Sequence, residues 1–151
     1  MALKICELVS ILLSALVVGA VWGPWLALSR SVATFKEEVF LAIAHRMIRN
    51  LEPIMTPLIP AALLSIVPVV FISYNDRPKT AYLTLAAFGL FIVGVFVAVL
   101  QVPIVTKIKM WTLETLPDNW RELRDRWKTL QVIRIVASIA GLALLILGAI
   151  I

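Results

Sequence analysis

This chain has little of what soluble catalysts rely on. Cys6 is its only cysteine, which excludes an intrachain disulfide, a CxxC redox pair, quinone-linked disulfide chemistry and a thiolate-based zinc cluster within one chain. His45 is equally alone, so two histidines of one chain cannot ligate haem or zinc. A single haem ligand, a general base beside Arg46 and Arg49, or a solvated histidine on an amphipathic helix remain as readings of it. No glycine-rich phosphate loop, nucleophile elbow, HExxH motif or pair of intramembrane carboxylates is present, so hydrolase, ATPase and proton-pump classes have no support. Charged residues make up only 15% of the chain.

What fills the 151 residues instead is apolar, at 62%. That is more greasy surface than a globular domain of this length can hide, and it marks an integral membrane protein. Four apolar runs, 5–28, 54–73, 81–100 and 132–151, each have the length that a hydrocarbon core of roughly 30 Å demands. The runs lack the alternation of barrel strands, so helices are the expected spanning structure. The fold class is thus all-α: a single membrane domain, 1–151, forming a four-transmembrane-helix bundle. Lys4, the apolar run behind it and "VGA" ending at Ala20 also fit a signal peptide, but the pattern continues through "VWGPWLAL" and fits a span better.

Between the first two spans, Thr34 and Glu37 read as a capping box that opens an amphipathic helix over about 35–51. Phe40, Ile43, Met47 and Leu51 share one stripe, and Glu38, His45, Arg49 and Glu52 another. This helix lies at the interface or extends the second span. Pro57, Pro60 and Pro68 predict a bent second span, and "YNDRPKT" a short turn into an antiparallel third. Thr115 and Asp118 suggest a second capping box, opening a helix continuous with the fourth span.

Ala15, Gly19 and Gly23, and Ala137 and Gly141, are small residues at four-residue spacing. They read as packing seams, the first set equally as a dimerisation face. The net charge of +5 suits contact with anionic lipid headgroups and is no evidence for nucleic acid. Eleven basic residues lie in or beside the loops after spans one and three, against Lys4, Arg77 and Lys79 opposite. The positive-inside rule therefore places loops 29–53 and 101–131 in the cytoplasm, with the chain in the cytoplasmic membrane.

Polar side chains concentrate in "PDNWRELRDRWKTLQVIRIV", 117–136. On a helix, Trp120, Arg124, Trp127, Gln131 and Arg134 form one face, while Arg121, Asp125 and Lys128 point elsewhere. An aromatic belt with snorkelling arginines explains much of this. Arg134 does not fit that explanation: it lies inside the fourth apolar run and needs a partner, water or a ligand anion. Glu7, Glu38, Glu52 and Glu114 are the candidate partners, Glu7 being on the opposite side of the membrane.

Read together, "QVPIVTKIKMW" and "W-RELRDRWKTLQVIRIVAS" resemble the anthrone oxygenase-like family of small four-helix membrane proteins. The residues that carry the resemblance are Gln101, Pro103, Trp111, Trp120, Arg124, Arg126, Trp127, Gln131 and Arg134. The resemblance implies a four-helix membrane protein and, in the family's named fungal members, oxidation of anthrones to anthraquinones by molecular oxygen without a conventional cofactor. Gln101 stands where the family has asparagine, Val105 where a second polar residue is common, and Gln131 where it has Asn or His; glutamine cannot act as a base.

Three functions follow as expectations. The first is a binding or accessory membrane subunit, its arginines on acidic lipid or a partner, in a homo-oligomer or larger complex. The second is an oxygenase of a hydrophobic aromatic, anthrone- or quinol-like substrate. There Trp111, Trp120 and Trp127 would be apolar walls, with Gln101 and Gln131 beside them. Arg124 and Arg134 would stabilise an oxyanion, and His45 or a carboxylate of the first loop would be the base. The third is a small transporter. No metal or cofactor is predicted.

Overall fold

The computed structural model describes all residues, 1–151, and contains four helices long and apolar enough to cross a membrane. They are α1 (Ala2–Ala27), α2 (Glu37–Asp76), α3 (Pro78–Met110) and α4 (Trp120–Ile150), and there is no strand. Each of the four apolar runs lies within one helix, apart from a residue at its edge. Each helix packs on the next in sequence, and α1 also packs on α4, closing a ring. Its outside is as apolar as its inside: Leu64, Phe71, Phe96 and Val136 are among many large side chains left exposed. A lipid solvent makes such a surface stable where water would not.

The amphipathic segment takes the second of its two expected placements and extends the second span. It and the second span are one 40-residue helix, which runs unbroken through Pro53, Pro57, Pro60 and Pro68. Each proline deprives the carbonyl one turn earlier of its donor. All four prolines are exposed, so the missing bonds fall on the outer side and the inner face stays regular. The turn to α3 is tighter than expected. Arg77 alone joins the two helices, its N–H donating to Ser73 O at 2.8 Å, and Pro78 starts α3 where no donor is needed.

Neither capping box forms. Thr34 ends a 3-10 turn, Ser29–Thr34, and its hydroxyl donates back to Ser31 O at 2.7 Å. Extended Phe35 separates it from the helix, which starts at Glu37 with no side-chain cap. Thr115 instead pairs with Thr112, whose N–H donates to the Thr115 hydroxyl at 2.9 Å, and α4 starts beyond it at Trp120. In each case the residue that resets the chain belongs to the same apolar cluster. Phe35 packs against it, and Trp111, extended at the end of α3, is part of it.

That cluster fills the end of the bundle bearing the long loops, and includes Phe40, Ile104, Ile108, Trp111, Trp120 and Trp127. The other end is polar. Glu7 is buried there, bound by Arg77 at 3.1 Å and Lys4 at 3.0 Å, while Lys4 also donates to Ala149 O at the end of α4. The α4 seam is real: Gly141 lies against the Phe91 ring and the Ala87 carbonyl of α3. The α1 stripe is not an internal seam. Ala15, Gly19 and Gly23 are exposed, and Gly19 and Gly23 have no neighbour within 4 Å of where a Cβ would stand.

Candidate functional site

The Trp and Arg face of α4 divides into two halves with different surroundings. In the first, Trp120 and Trp127 are buried core residues, and the Trp120 ring lies 5.4 Å from that of Phe40. Arg124 is buried beside them. Its guanidinium sits 5.2 Å from the Trp120 ring centre and reaches Asp125 through Nε at 3.0 Å and Nη2 at 2.9 Å. Arg121 lies 5.1 Å from the same ring, with Glu37 3.8 Å away. Tryptophan and arginine here bind each other, so this half is a packed and charge-balanced joint between α4 and the start of α2.

The second half opens into a cavity of about 330 Å³ to which all four helices contribute. From α1 come Ala20, Val21 and Pro24; from α2, Met47, Leu51, Glu52, Met55 and Thr56; from α3, Gln101, Val102, Val105, Thr106 and Lys109; from α4, Trp127, Gln131 and Arg134. The volume falls at the lower end of small-molecule sites, about 300–1,000 Å³, and the lining follows their pattern, apolar with a few polar groups. Gln101 is buried and donates to Trp127 O at 3.3 Å and to Gln131 Oε1 at 3.2 Å. Gln131 in turn donates to Val21 O at 3.2 Å. This relay ties α3, α4 and α1 together across the cavity wall.

Arg134 has no such satisfaction. None of the four carboxylates considered for it is within ion-pair distance: Glu7 is held by Lys4 and Arg77, Glu52, across the cavity wall, by Lys109, and Glu38 and Glu114 are in no ion pair. Its guanidinium lines the large cavity and also a small one of about 20 Å³ beside Ser138, with no carboxylate within ion-pair distance of it. A cation in a membrane helix that has no counterion in its own chain carries an uncompensated desolvation cost.

Of the sequence-derived candidates, the cavity therefore unites Gln101, Trp127, Gln131 and Arg134, and leaves Trp111, Trp120 and Arg124 in the core behind it. His45 lies outside it. Its Nε2 donates to Ile108 O at 2.7 Å, and it borders a neighbouring polar recess with Arg49, Glu52 and Lys109. The contributions of Met55, Thr56, Thr106 and Lys109 were not apparent from the sequence. A single-residue α2–α3 turn would have revealed them, because residues equally distant from Arg77 come level, as His45 and Ile108 nearly do. No three His, Cys, Asp or Glu side chains converge as metal ligands would.

A ring of four spanning helices around a cavity that all four line, with one arginine in its wall, defines a four-helix membrane bundle with an internal cavity. The chain belongs to the anthrone oxygenase family, whose pattern it matches over residues 44–144. That region holds the α2, α3 and α4 walls of the cavity, and α1 closes it from outside the matched segment. No curated protein and no solved structure matches the chain. Gln101 and Gln131, both within the matched region, are hydrogen-bonded to each other.

Proposed function

We propose that the chain binds a small hydrophobic aromatic molecule in the four-helix cavity, with an ionisable oxygen on Arg134, and oxidises it with dioxygen. The observation that carries this reading is Arg134, in no ion pair, in the wall of a ligand-sized space whose other charged residues, Glu52 and Lys109, pair with each other; the reaction comes from the family. For an aryl ketone with an acidic methylene, the chain needs to supply only a base and a cation. Glu52 is the one carboxylate lining the cavity, and it takes the methylene proton. The electron pair moves into the ring system and onto the ketone oxygen, where Arg134 stabilises the phenolate. The phenolate gives one electron to dioxygen, the radical pair joins at the former methylene carbon, and the returned proton completes a hydroperoxide. Loss of water leaves a second ketone, so CH2 and O2 become C=O and H2O. This route asks for no resident cofactor.

A purely accessory role draws less support. Trp120, Arg124 and Trp127, the side chains it would offer a partner, are covered by the chain's own helices. The test is oxygen uptake with anthrone by the purified protein in vesicles. Glu52→Gln is expected to lower turnover about 100-fold, the loss of a general base, while leaving anthrone binding in place. Wild-type protein that binds anthrone and consumes no oxygen would remove the reaction and leave the binding site.

The charge distribution supports an orientation with loops 29–53 and 101–131 in the cytoplasm and both termini outside. A reporter active only outside the cytoplasmic membrane should work when fused after Ile151. Activity of a cytoplasm-only reporter at that position would reverse the assignment.

A further inference from the structure

We infer that the cavity is entered sideways from the bilayer, through a window between α2 and α3, and that its ligand is a bilayer-dissolved phenol or aryl ketone. The inference rests on the reading of the cavity as a ligand site, and adds to it the route and the phase from which the ligand comes.

The two helices that frame the window are held together at both ends. At the hairpin end Arg77 is the whole linker. At the loop end there are two straps. His45 Nε2 donates to Ile108 O at 2.7 Å, and since a carbonyl only accepts, this fixes the hydrogen on Nε2. Ile108 is near the end of α3, where its carbonyl accepts from Trp111 N–H at 3.2 Å and gives its second lone pair to the strap. One α-helical turn and three residues further along α2, Glu52 pairs with Lys109.

Between the straps and the hairpin the helices part. Glu52, Thr56, Val102, Thr106 and Lys109 line the cavity and are exposed, and Met55 and Val105 behind them are half-buried. Exposed lining residues on both helices set the mouth of the cavity between them. The surrounding outer surface is apolar: Ile54 and Val99 are exposed on the same two helices. The mouth thus lies where the apolar spans end, with Ile54 and Val99 on its bilayer side and Glu52 and Lys109 on its water side, so a bilayer-dissolved molecule reaches it at the headgroup boundary. Charge complementarity selects the occupant. Thr56, Val102 and Thr106 admit a flat body of little polarity, and Arg134 beyond them rewards one with a single ionisable oxygen.

The probe is a phenol carrying a trifluoromethyl diazirine, dissolved in phosphatidylcholine vesicles that contain the full chain. Adducts are mapped by mass spectrometry after illumination. Wild-type protein is expected to be labelled on cavity residues such as Met55 and Trp127. Thr56→Trp with Val102→Trp plugs the window from its exposed side, where no core contact is lost, and should reduce that labelling about tenfold or more. Val102→Phe alone, a smaller plug, should give an intermediate loss. His45→Ala, which releases the strap outside the cavity, should leave it within about twofold of wild type. Equal labelling of the plugged and wild-type proteins would overturn lateral entry while the ligand site stands. A wild-type cavity that takes no label would overturn the site and the entry route together. Labelling needs no turnover, so a failure of the proposed oxidation is seen separately, in oxygen uptake.

Discussion

Arg134→Leu should abolish ligand binding and oxygen uptake and at the same time raise the melting temperature. The two effects share one cause. In the free protein the guanidinium lines the cavity and is in no ion pair. Arg134 stands three residues inside the 132–151 run, so its cost is below the about 2.5–3.5 kcal/mol of a charge at a helix centre, on the order of 1 kcal/mol, and no carboxylate lies within ion-pair distance to offset it. Leucine removes that cost and fits its surroundings, Ala98 and Trp127 among them. For a domain of this size the gain corresponds to a rise of about 2–4 °C in detergent. Function moves the other way: loss of one preorganised group facing a developing oxyanion lowers turnover about 100- to 1,000-fold. Arg134→Lys keeps the charge without the planar fork and should fall between the two. A structural arginine would behave differently, since its removal would lower stability and leave binding alone. Thermal unfolding and anthrone titration on the same preparations decide the matter.

The path from sequence to this site was legible in part, and the limits have physical causes. The four spans and the continuous ramp into α4 could be read because lipid imposes length and apolarity on every residue of a span. Both capping boxes were misread because a cap is a local code that tertiary packing overrides. Phe35 and Trp111 take extended backbone beside the Phe40–Trp120 cluster, and the neighbouring threonines turn to other partners. The prolines of α2 predicted a bend. Their common outward side, which decides that the helix continues, is a property of how α2 packs and of nothing within the motif.

The α4 face shows the same limit at the site. Helical spacing put Trp120, Arg124, Trp127, Gln131 and Arg134 in one row, and they are in one row. Spacing cannot say what stands opposite. Close packing against the start of α2 turns the first part of the row into core, whereas the gap between α2 and α3 turns the last part into a cavity wall. Arg124 found its acid in the next residue, Asp125, which is invisible to a reading by faces because neighbours in sequence point apart. Arg134 was singled out correctly as a charge in need of an answer, and the candidate acids proved to be engaged elsewhere or in no ion pair.

The small-residue stripes supply the second large effect. Gly141→Leu should unfold the bundle or bring it close to unfolding, whereas Gly19→Leu should leave the stability of a single chain unchanged. At Gly141 a Cβ would stand 3.1 and 3.2 Å from two atoms of the Phe91 ring and 3.3 Å from the Ala87 carbonyl. The ring can give way slightly; the carbonyl belongs to the backbone of α3 and cannot. Gly141→Ala should therefore cost about 1 kcal/mol, and leucine, which drives a further three carbons into the same seam, about 3 kcal/mol or more. Because Phe91 also packs with Val18, Ile66 and Leu145, displacing it loosens all four helices at once. Gly19 has open space on its side, so leucine there meets lipid. Thermal unfolding in detergent separates the two variants. Equal destabilisation by both would mean that the close approach of α3 and α4 at Gly141 is not what holds the seam, and that helix propensity or insertion accounts for the loss.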